Sequence, residues 1–197
     1  MIALALYLVL AYLLGSVSTA IVICRLLGVA DPREVGSHNP GATNVLRHAG
    51  KSAAAVTLLG DAAKGLLPVL AGHAAGLSAP LLAAIGLAAF LGHLYPIYYG
   101  FSGGKGVATF IGVTLALNVW IGVTFIGTWL AVAVALRFSS LAALVATAAA
   151  PLAAYLLGEP PVAVALISVM SGLVCWRHRS NIHNLLDGTE KKIGQKA

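Results

Sequence analysis

The sequence predicts an all-α, polytopic membrane protein with about seven transmembrane helices, the fourth of them short, an outer N-terminus and a cytoplasmic C-terminus. Of the 197 residues, 59% are hydrophobic and only 9% are charged, and the mean hydropathy is +0.93. A soluble domain carries about 25% charged residues, so these charges are too few to cover a water-facing surface. Apolar runs separated by short polar loops fill the chain, which indicates one integral membrane domain over 1–197.

The apolar runs approach or exceed the roughly 20 residues that cross a bilayer. They are 1–24, 53–75, 80–99, 107–136, 141–157 and 160–176. The first run lacks charge and a basic start, so we predict a retained span rather than a cleaved signal peptide. The last two runs are separated by Gly158-Glu159-Pro160-Pro161, which is a strong turn signal.

The run 107–136 has two interpretations, because one helix over its whole length would extend about 45 Å against a hydrocarbon core of about 30 Å. It is either one tilted helix or two helices separated near Asn118. A break places all Lys and Arg except Lys64 on the inner side, whereas an unbroken helix moves Arg137 and the basic tail to the opposite side. The positive-inside rule therefore favours the break and a short or partly re-entrant fourth helix.

Polar side chains concentrate in three segments, which this topology places on one face of the membrane. In the first, 31–47, glycine and proline permit a tight backbone path and Arg47 supplies a guanidinium. The short donors of this segment are Ser37, Asn39, Thr43 and Asn44. Such a loop can surround an oxyanion with N–H and O–H groups, although the same residue types are common in an ordinary solvated loop.

The second segment, 101–109, places Gly103, Gly104 and Gly106 around Lys105 immediately before a predicted helix. Helix N-termini favour anions, and glycine lets the backbone approach a phosphate, so this segment is a candidate phosphate site. It is not a P-loop, because Gly106 follows the lysine where Ser or Thr would hold magnesium. A purely structural junction between loop and helix is the alternative.

The third segment, 176–192, follows the last apolar run. Its arginines and lysines are typical of topological anchors or of contacts with anionic lipid. His178 and Asn181 are three residues apart, so a helix places an imidazole and an amide on one face. There the two side chains can converge on the other two segments.

Further polar residues lie within or beside the predicted spans. Asp61 and Lys64 are one helical turn apart, so we expect them to neutralise each other or to face the site. His73 and His93 lie on apolar runs and are expected to be packing histidines with satisfied hydrogen bonds. The serine pair at 139–140 is expected to cap a helix, and contact of one serine with the site is the alternative.

Three motifs in this order carry a family resemblance: GSHNPGATNVLR, GHLYPIYYGFSGGKGVAT and WRHRSNIHNLLDGTE. Together they resemble the bacterial PlsY-type glycerol-3-phosphate acyltransferases, and the similarity extends over essentially the whole chain, including the seven-span layout. Departures are His38, where the family commonly has a glycine, Ser102, where a basic residue is frequent, and His183-Asn184, where basic residues are common.

The resemblance implies catalytic roles for Ser37, Arg47, Lys105, His178 and Asn181. It also implies that Glu190 supports the tail. We expect substrate binding by His38, Asn39, Thr43, Asn44, Gly103, Gly104, Gly106, Ser140 and Glu190. We expect the glycine-rich segment, Arg47 and Asn181 to hold glycerol 3-phosphate. Ser37, Thr43 and Asn44 are expected to hold the acyl phosphate. His178 is a candidate general base, and a substrate phosphate is the alternative base.

The implied reaction moves an acyl chain from acyl phosphate to the 1-hydroxyl of glycerol 3-phosphate, giving lysophosphatidic acid and phosphate as the first step of phospholipid synthesis. The expected location is the bacterial cytoplasmic (inner) membrane, with the site facing the cytoplasm and the protein in contact with membrane lipid. No acyl-CoA, acyl carrier protein, metal or organic cofactor is expected. The net charge of +6 then reflects topology and anionic substrates rather than nucleic-acid binding. A transporter for an organic phosphate is the alternative, but no internal repeat is visible.

Overall fold

The computed structural model describes residues 2–195, and every regular element among them is helical. The α-helices are α1 (Ile2–Gly15), α2 (Thr19–Leu26), α3 (Ala42–His48), α4 (Gly50–Ala74), α5 (Ala79–Leu94), α6 (Val107–Leu117), α7 (Val119–Leu136), α8 (Ser139–Leu156), α9 (Pro161–Arg177) and α10 (Arg179–Leu186). A 3₁₀ turn at Ile97–Tyr99 follows α5. The predicted all-α membrane architecture is confirmed.

Helices α4, α5, α7 and α8 are each long and apolar enough to cross a membrane. The pairs α1–α2 and α9–α10 are bent by 41° and 57°, and counting each pair as one span raises the number to 6. Helix α6 is apolar but has only 11 residues, so it rises about 16 Å. It occupies the position of the predicted short fourth helix, and the count of seven crossings stays a prediction.

The predicted break at Asn118 is confirmed, because α6 ends one residue before it and α7 begins one residue after it. The Asn118 side chain accepts a hydrogen bond from the backbone N–H of Trp120 at 3.0 Å, which caps α7. Its Nδ2 donates to Oε1 of Glu159 at 2.9 Å. The run 107–136 is therefore two helices rather than one tilted helix.

The first apolar run, in contrast, is not the unbroken helix that the sequence predicts. Between α1 and α2 the chain bends at residues 16–18, and the Ser18 hydroxyl accepts from the N–H of Ile21. Nζ of Lys64 donates to the carbonyl oxygen of Val17 at 2.7 Å, so a carbonyl freed by the bend is paired. Met1 lies outside the described residues.

Hydrogen bonds at the helix ends bring several turns to one end of the bundle. Nε2 of His73, near the end of α4, donates to the carbonyl oxygen of Ala116 in α6 at 2.8 Å. The Asn118–Glu159 hydrogen bond adds the turn between α8 and α9 to the same end. These are the turns that the sequence predicts on the outer side. The glycine-rich segment precedes α6 and lies at the opposite end of that helix.

Small residues let the helices approach closely. Close packing is important in a membrane, because lipid is as apolar as the helices and no hydrophobic effect drives them together. A Cβ on Gly112 of α6 would overlap the Ala62 carbonyl of α4, and a Cβ on Gly92 of α5 would overlap the Tyr12 carbonyl of α1. These close contacts between α4 and α6 and between α1 and α5 fix the positions of the helices that the polar segments connect.

The predicted pairing of Asp61 with Lys64 is confirmed by an ion pair of 2.9 Å between side chains that are 2% and 5% exposed. His73 is hydrogen-bonded, as expected. The same expectation is wrong for His93, whose Nδ1 is buried and has no hydrogen-bond partner within the described part of the chain.

Candidate active site

The three polar segments meet around Gly104, as the sequence predicts. The Gly104 N–H donates to the carbonyl oxygen of His93 at 3.2 Å, and the carbonyl oxygen of Pro40 in the first segment lies 3.2 Å from the position of a Cβ on Gly104. From the third segment, Nε of Arg177 donates to the Gly104 carbonyl at 3.1 Å and Nη2 donates to the Gly103 carbonyl at 2.6 Å. The bundle thus joins segments that are about 70 residues apart in sequence.

Glycine is required at two positions of this segment for steric reasons. A Cβ on Gly103 would overlap the carbonyl oxygens of His93 and Leu94. Gly106 has φ of 88°, in the left-handed region, and a Cβ there would also overlap the ring of Phe90. Helix α6 starts directly after Gly106, and no side chain caps it. Its first backbone N–H groups therefore have no intrahelical partner and can face an anion.

Lys105 lies between these glycines, and its Nζ donates to Oδ1 of Asn181 in α10. Burial lowers the pKa of Lys105 to about 8, against the raising effect of Glu190; the charges of Arg177 and Arg47 act in the same direction as burial. At neutral pH the ammonium is still mostly protonated, so a partly desolvated cation is ready for a phosphate oxygen.

Glu190 organises the third segment from its far end. Its Oε1 accepts from the Ser140 hydroxyl at 2.5 Å and from Nδ2 of Asn181 at 2.8 Å, and its Oε2 accepts from Nδ2 of Asn184 at 3.4 Å. An ionised carboxylate can only accept, so this contact fixes the orientation of the Asn181 amide. The amide nitrogen faces Glu190 and the amide oxygen faces Lys105. Ser140 thus contacts a candidate site residue, which is the alternative to a helix cap that the sequence left open. Asn184 is a further partner of Glu190, which the sequence did not predict.

His178 links α9 and α10 and is only 4% exposed. Its Nδ1 lies 2.8 Å from the carbonyl oxygen of Val174. A carbonyl only accepts, so Nδ1 carries the hydrogen and Nε2 keeps a free lone pair. Burial and the nearby charge of Lys105 lower the pKa of His178 to about 4. The ring is therefore neutral at pH 7 and can accept a hydrogen bond from a hydroxyl, but it is a weak base.

In the first segment, Asn44 shapes the loop. It is 1% exposed, and its Nδ2 donates to the carbonyl oxygens of Pro32 and Val35 at 2.8 and 3.0 Å. Its Oδ1 accepts from the N–H of Ser37 at 3.1 Å. All of its amide groups thus have protein partners, which differs from the contact with acyl phosphate that the sequence predicts. The side chain instead fixes the backbone that presents Ser37.

Among the predicted site residues of this segment, Ser37, His38 and Thr43 are exposed. His38 has φ of 54°, in the region that glycine adopts most readily, which agrees with the glycine that the family resemblance implies at this position. Its Nδ1 lies 3.1 Å from the carbonyl oxygen of Arg33. The Thr43 hydroxyl lies 3.3 Å from Oγ of Ser139, which connects α3 with α8.

The structure thus joins Lys105, Asn181, Glu190 and Ser140 in one hydrogen-bonded chain and places Arg47 near enough to affect the pKa of Lys105. Within residues 2–195, no hydrogen bond connects the side chains of Ser37, His38 or Asn39 to this chain. These residues lie on the neighbouring loop.

Arg177 is a second residue that sequence reasoning missed. The sequence predicts a topological anchor, since arginine is common directly after a span. The structure shows a guanidinium that holds two carbonyls of the glycine-rich segment and lies 5.9 Å from the ring centroid of Tyr95. The local sequence carries no signal for this role, because the partners of Arg177 lie in another motif.

The sequence profile of the family described as glycerol-3-phosphate acyltransferase matches residues 5–188. The chain belongs to this family. It is 57% identical over 186 residues to the glycerol-3-phosphate acyltransferase of Thioalkalivibrio sulfidiphilus, covering 94% of this chain and 92% of that protein. It is 54% identical over 184 residues to the glycerol-3-phosphate acyltransferase of Hydrogenovibrio crunogenus, covering 93% of this chain and 88% of that protein.

Two crystal structures of the integral membrane glycerol 3-phosphate acyltransferase PlsY share the fold. The glycerol 3-phosphate form superposes with a TM-score of 0.93 at 39% identity, covering 98% of this chain and 96% of that one. The lysophosphatidic acid form gives a TM-score of 0.91 at 38% identity with the same coverage. The resemblance noted from the three motifs is therefore confirmed.

In this family member, the site offers two cations, unpaired helix amides and a neutral imidazole beside an oriented amide. Cations and amides can bind phosphate oxygens, and the free Nε2 of His178 can accept a hydrogen bond from an alcohol. The arrangement suits a reaction between an anionic alcohol and a second anion.

Proposed function

We propose that this chain transfers an acyl group from acyl phosphate to the 1-hydroxyl of glycerol 3-phosphate, giving lysophosphatidic acid and inorganic phosphate. The observation that carries the proposal is the juxtaposition of Lys105, Asn181 and His178 beside the N-terminus of α6. The names of the relatives, and the two ligand forms of PlsY, support glycerol 3-phosphate as the acceptor. The family assignment also favours acyl transfer over transport of an organic phosphate.

The residues divide between the two substrates according to their position. The α6 N-terminus, Lys105, Arg47 and Asn181 bind the phosphate of glycerol 3-phosphate. Ser37 and Thr43, on the exposed first loop, bind the acyl phosphate, and Asn44 holds that loop in shape. Two bound cations offset the repulsion between the two phosphates, which is a large part of the cost of bringing them together.

In the transfer step, the 1-hydroxyl oxygen attacks the acyl carbonyl carbon and forms the ester bond. The bond between the carbonyl carbon and the bridging oxygen breaks, and its electron pair leaves with the phosphate. The hydroxyl proton goes to a substrate phosphate, because a phosphate with a second pKa near 6 is a stronger base than His178 with a pKa of about 4. His178 accepts the hydroxyl hydrogen bond at Nε2 and orients the attacking oxygen. No metal or organic cofactor takes part.

The activity is tested with purified protein in detergent, supplied with a long-chain acyl phosphate and glycerol 3-phosphate. We expect stoichiometric release of lysophosphatidic acid and phosphate in the presence of EDTA, and no product when acyl-CoA or acyl carrier protein replaces the acyl phosphate. Product from acyl-CoA at a comparable rate would refute the proposed donor. Loss of turnover in EDTA, restored by a divalent cation, would refute the cofactor-free reaction.

We also propose that the site faces the cytoplasm across the bacterial inner membrane. Apart from Lys64, the basic residues belong to the loops, helix ends and tail at the end of the bundle that carries the site, in agreement with the positive-inside rule. Helix α6 rises only about half of the hydrocarbon thickness. Lys105, which precedes α6, therefore lies deeper in the membrane than a residue at the inner end of a full span. An acyl chain in the lipid can therefore bring its phosphate to the site.

The orientation predicts the labelling of single cysteines in intact cells. Ser78, at the start of α5, and Ser102, beside the glycine-rich segment, are both exposed and close to cysteine in size. In a background with Cys24 and Cys175 replaced by alanine, Ser78→Cys should react with a membrane-impermeant maleimide from outside. Ser102→Cys should react only after permeabilisation. The reverse pattern would show that the protein is inserted the other way.

A further inference from the structure

A buried group of ionisable side chains lies directly behind the glycine-rich segment and is not used by the proposed reaction. It consists of Asp61 and Lys64 in α4 and His93 in α5, which are 2%, 4% and 6% exposed. Nδ1 of His93 is buried without a hydrogen-bond partner among the described residues, and it lies 3.9 Å from Oδ1 of Asp61, the oxygen that pairs with Lys64. A hydrogen bond would need a distance about 1 Å shorter.

His93 contacts the glycine-rich segment with both its main chain and its ring. Its carbonyl oxygen accepts from the N–H of Gly104 at 3.2 Å. A Cβ on Gly104 would overlap its Nε2, so the ring lies against the backbone immediately before Lys105. A shift of the ring therefore shifts the segment that carries Lys105.

Asp61 anchors the other side of this ring to the bundle. Its carboxylate pairs with Lys64 at 2.9 Å, and Lys64 is itself fixed to the Val17 carbonyl at 2.7 Å. The Asp61 carbonyl oxygen accepts from the Thr109 hydroxyl, in the first turn of α6, at 2.9 Å. The group thus connects α1–α2, α4 and α5 with the helix start at which the phosphate binds.

Ionisable groups are costly in a membrane interior, and apolar residues could fill the same space at lower cost. His73 shows the alternative, because it finds a carbonyl partner and needs no carboxylate. Nδ1 of His93 faces Oδ1 of Asp61 at 3.9 Å without a hydrogen bond, and the other ring nitrogen faces Gly104. The arrangement is better suited to holding the segment in place than to filling space.

We propose that His93, which faces the Asp61–Lys64 pair, is a positioning residue that sets the Gly103–Lys105 segment for the phosphate of glycerol 3-phosphate. The inference rests on the proposed function only for the identity of the acceptor. His93 contacts no substrate; it acts through Gly104 and Lys105. Loss of its Nδ1 atom should weaken binding of the acceptor and leave the transfer step nearly intact.

The test compares variants of His93 that keep one nitrogen position at a time. The amide of His93→Asn can occupy the Nδ1 position facing Asp61, whereas the longer His93→Gln reaches the Nε2 position and leaves the Nδ1 position empty. We expect His93→Leu and His93→Gln to raise the KM for glycerol 3-phosphate roughly 10-fold, with kcat changed less than about threefold. His93→Asn should stay within about threefold of the wild-type KM. His73→Leu, at the other end of α4, is the matched control and should leave KM unchanged.

A double-mutant cycle separates coupling from general loosening of the bundle. Asp61→Asn should raise KM about as much as His93→Leu, and the double variant should be no worse than either single variant. Multiplicative effects in the double variant, or an unchanged KM in both His93→Leu and His93→Gln, would overturn the proposal. So would a fall in kcat alone. If His93→Leu does not fold, His93→Gln compared with His93→Asn still decides the outcome.

Binding of glycerol 3-phosphate without any acyl donor, followed by calorimetry in detergent, distinguishes this proposal from the proposed reaction. Weaker binding by His93→Gln than by His93→Asn supports the positioning role even if acyl phosphate proves not to be the donor. Equal binding by both variants and the wild type overturns the positioning role even if acyl transfer is observed. No binding by the wild-type protein overturns both.

Discussion

Replacing Lys105 by alanine is expected to lower kcat/KM for glycerol 3-phosphate by roughly 10³-fold, because a charge in a partly dry site has no substitute there. The ammonium donates to Asn181 of the third segment, and Lys105 lies two residues before the first residue of α6. Without it, the repulsion between the two phosphates is opposed only by guanidinium groups, of which Arg177 is already hydrogen-bonded to the Gly103 and Gly104 carbonyls. The measurement is phosphate release at saturating acyl phosphate over a range of glycerol 3-phosphate concentrations.

Lys51→Ala is the matched control, since Lys51 is an exposed lysine at the start of α4 and has no ion pair in the described structure. It should keep wild-type kinetics, because an exposed charge contributes little. Near-normal turnover of Lys105→Ala, with the protein correctly folded, would remove Lys105 from the site.

The same residue predicts the pH dependence of the reaction. Burial places the pKa of Lys105 at about 8, and only the protonated form attracts phosphate. The value of kcat/KM reports the free enzyme, so it should fall as the pH rises through about 8. In Lys105→Arg this alkaline limb should disappear below pH 10, because a guanidinium stays protonated there. An unchanged limb in Lys105→Arg would assign the titration to another group.

The sequence predicts the helix break at Asn118 correctly and misses the bend between α1 and α2. The first has a signal in the length of the apolar run, and the second does not. The length of 107–136 exceeds what a bilayer can hold, so a break is required, and Asn118 is the polar residue able to cap a new helix. The run 1–24 has no such excess. Its bend carries the Ser18 cap of α2 and is also held by Lys64, whose Nζ reaches the Val17 carbonyl from α4. A tertiary contact of this kind leaves no trace in the local pattern.

The candidate site shows the same division. Glycines around a lysine before a helix are a local pattern, and the structure does place Lys105 there. Asn44 and Arg177 were assigned other roles, because their residue types suit several tasks and only distant partners decide between them. Asn44 is fixed by Pro32 and Val35, and Arg177 by carbonyls of the second segment. Residue type predicts which hydrogen bonds and charges a side chain can offer, and tertiary packing decides which partners it has.

Glu190 shows how one tail residue can control both geometry and charge in this site. It accepts hydrogen bonds from Ser140, Asn181 and Asn184, and its negative charge raises the pKa of Lys105 against the effect of burial. Glu190→Gln keeps the size of the side chain but removes the charge, and its amide group offers a donor where Asn181 or Asn184 also donates. The Asn181 amide then loses its fixed orientation. We expect kcat/KM to fall roughly 10²-fold, the scale of a small misplacement of reacting groups.

The pH profile of Glu190→Gln distinguishes this role from simple damage to the tail. Without the carboxylate, the pKa of Lys105 loses its only raising influence, so the alkaline limb of kcat/KM should move below its wild-type position near pH 8. Asp187→Asn is the control: Asp187 lies in the same tail but forms an exposed pair with His183 at 3.2 Å, and both the rate and the limb should stay at wild-type values. A large loss of rate in Glu190→Gln with an unmoved limb would mean that Glu190 holds the tail without tuning Lys105. A rate within threefold of wild type would mean that the Asn181 amide keeps its orientation without the carboxylate.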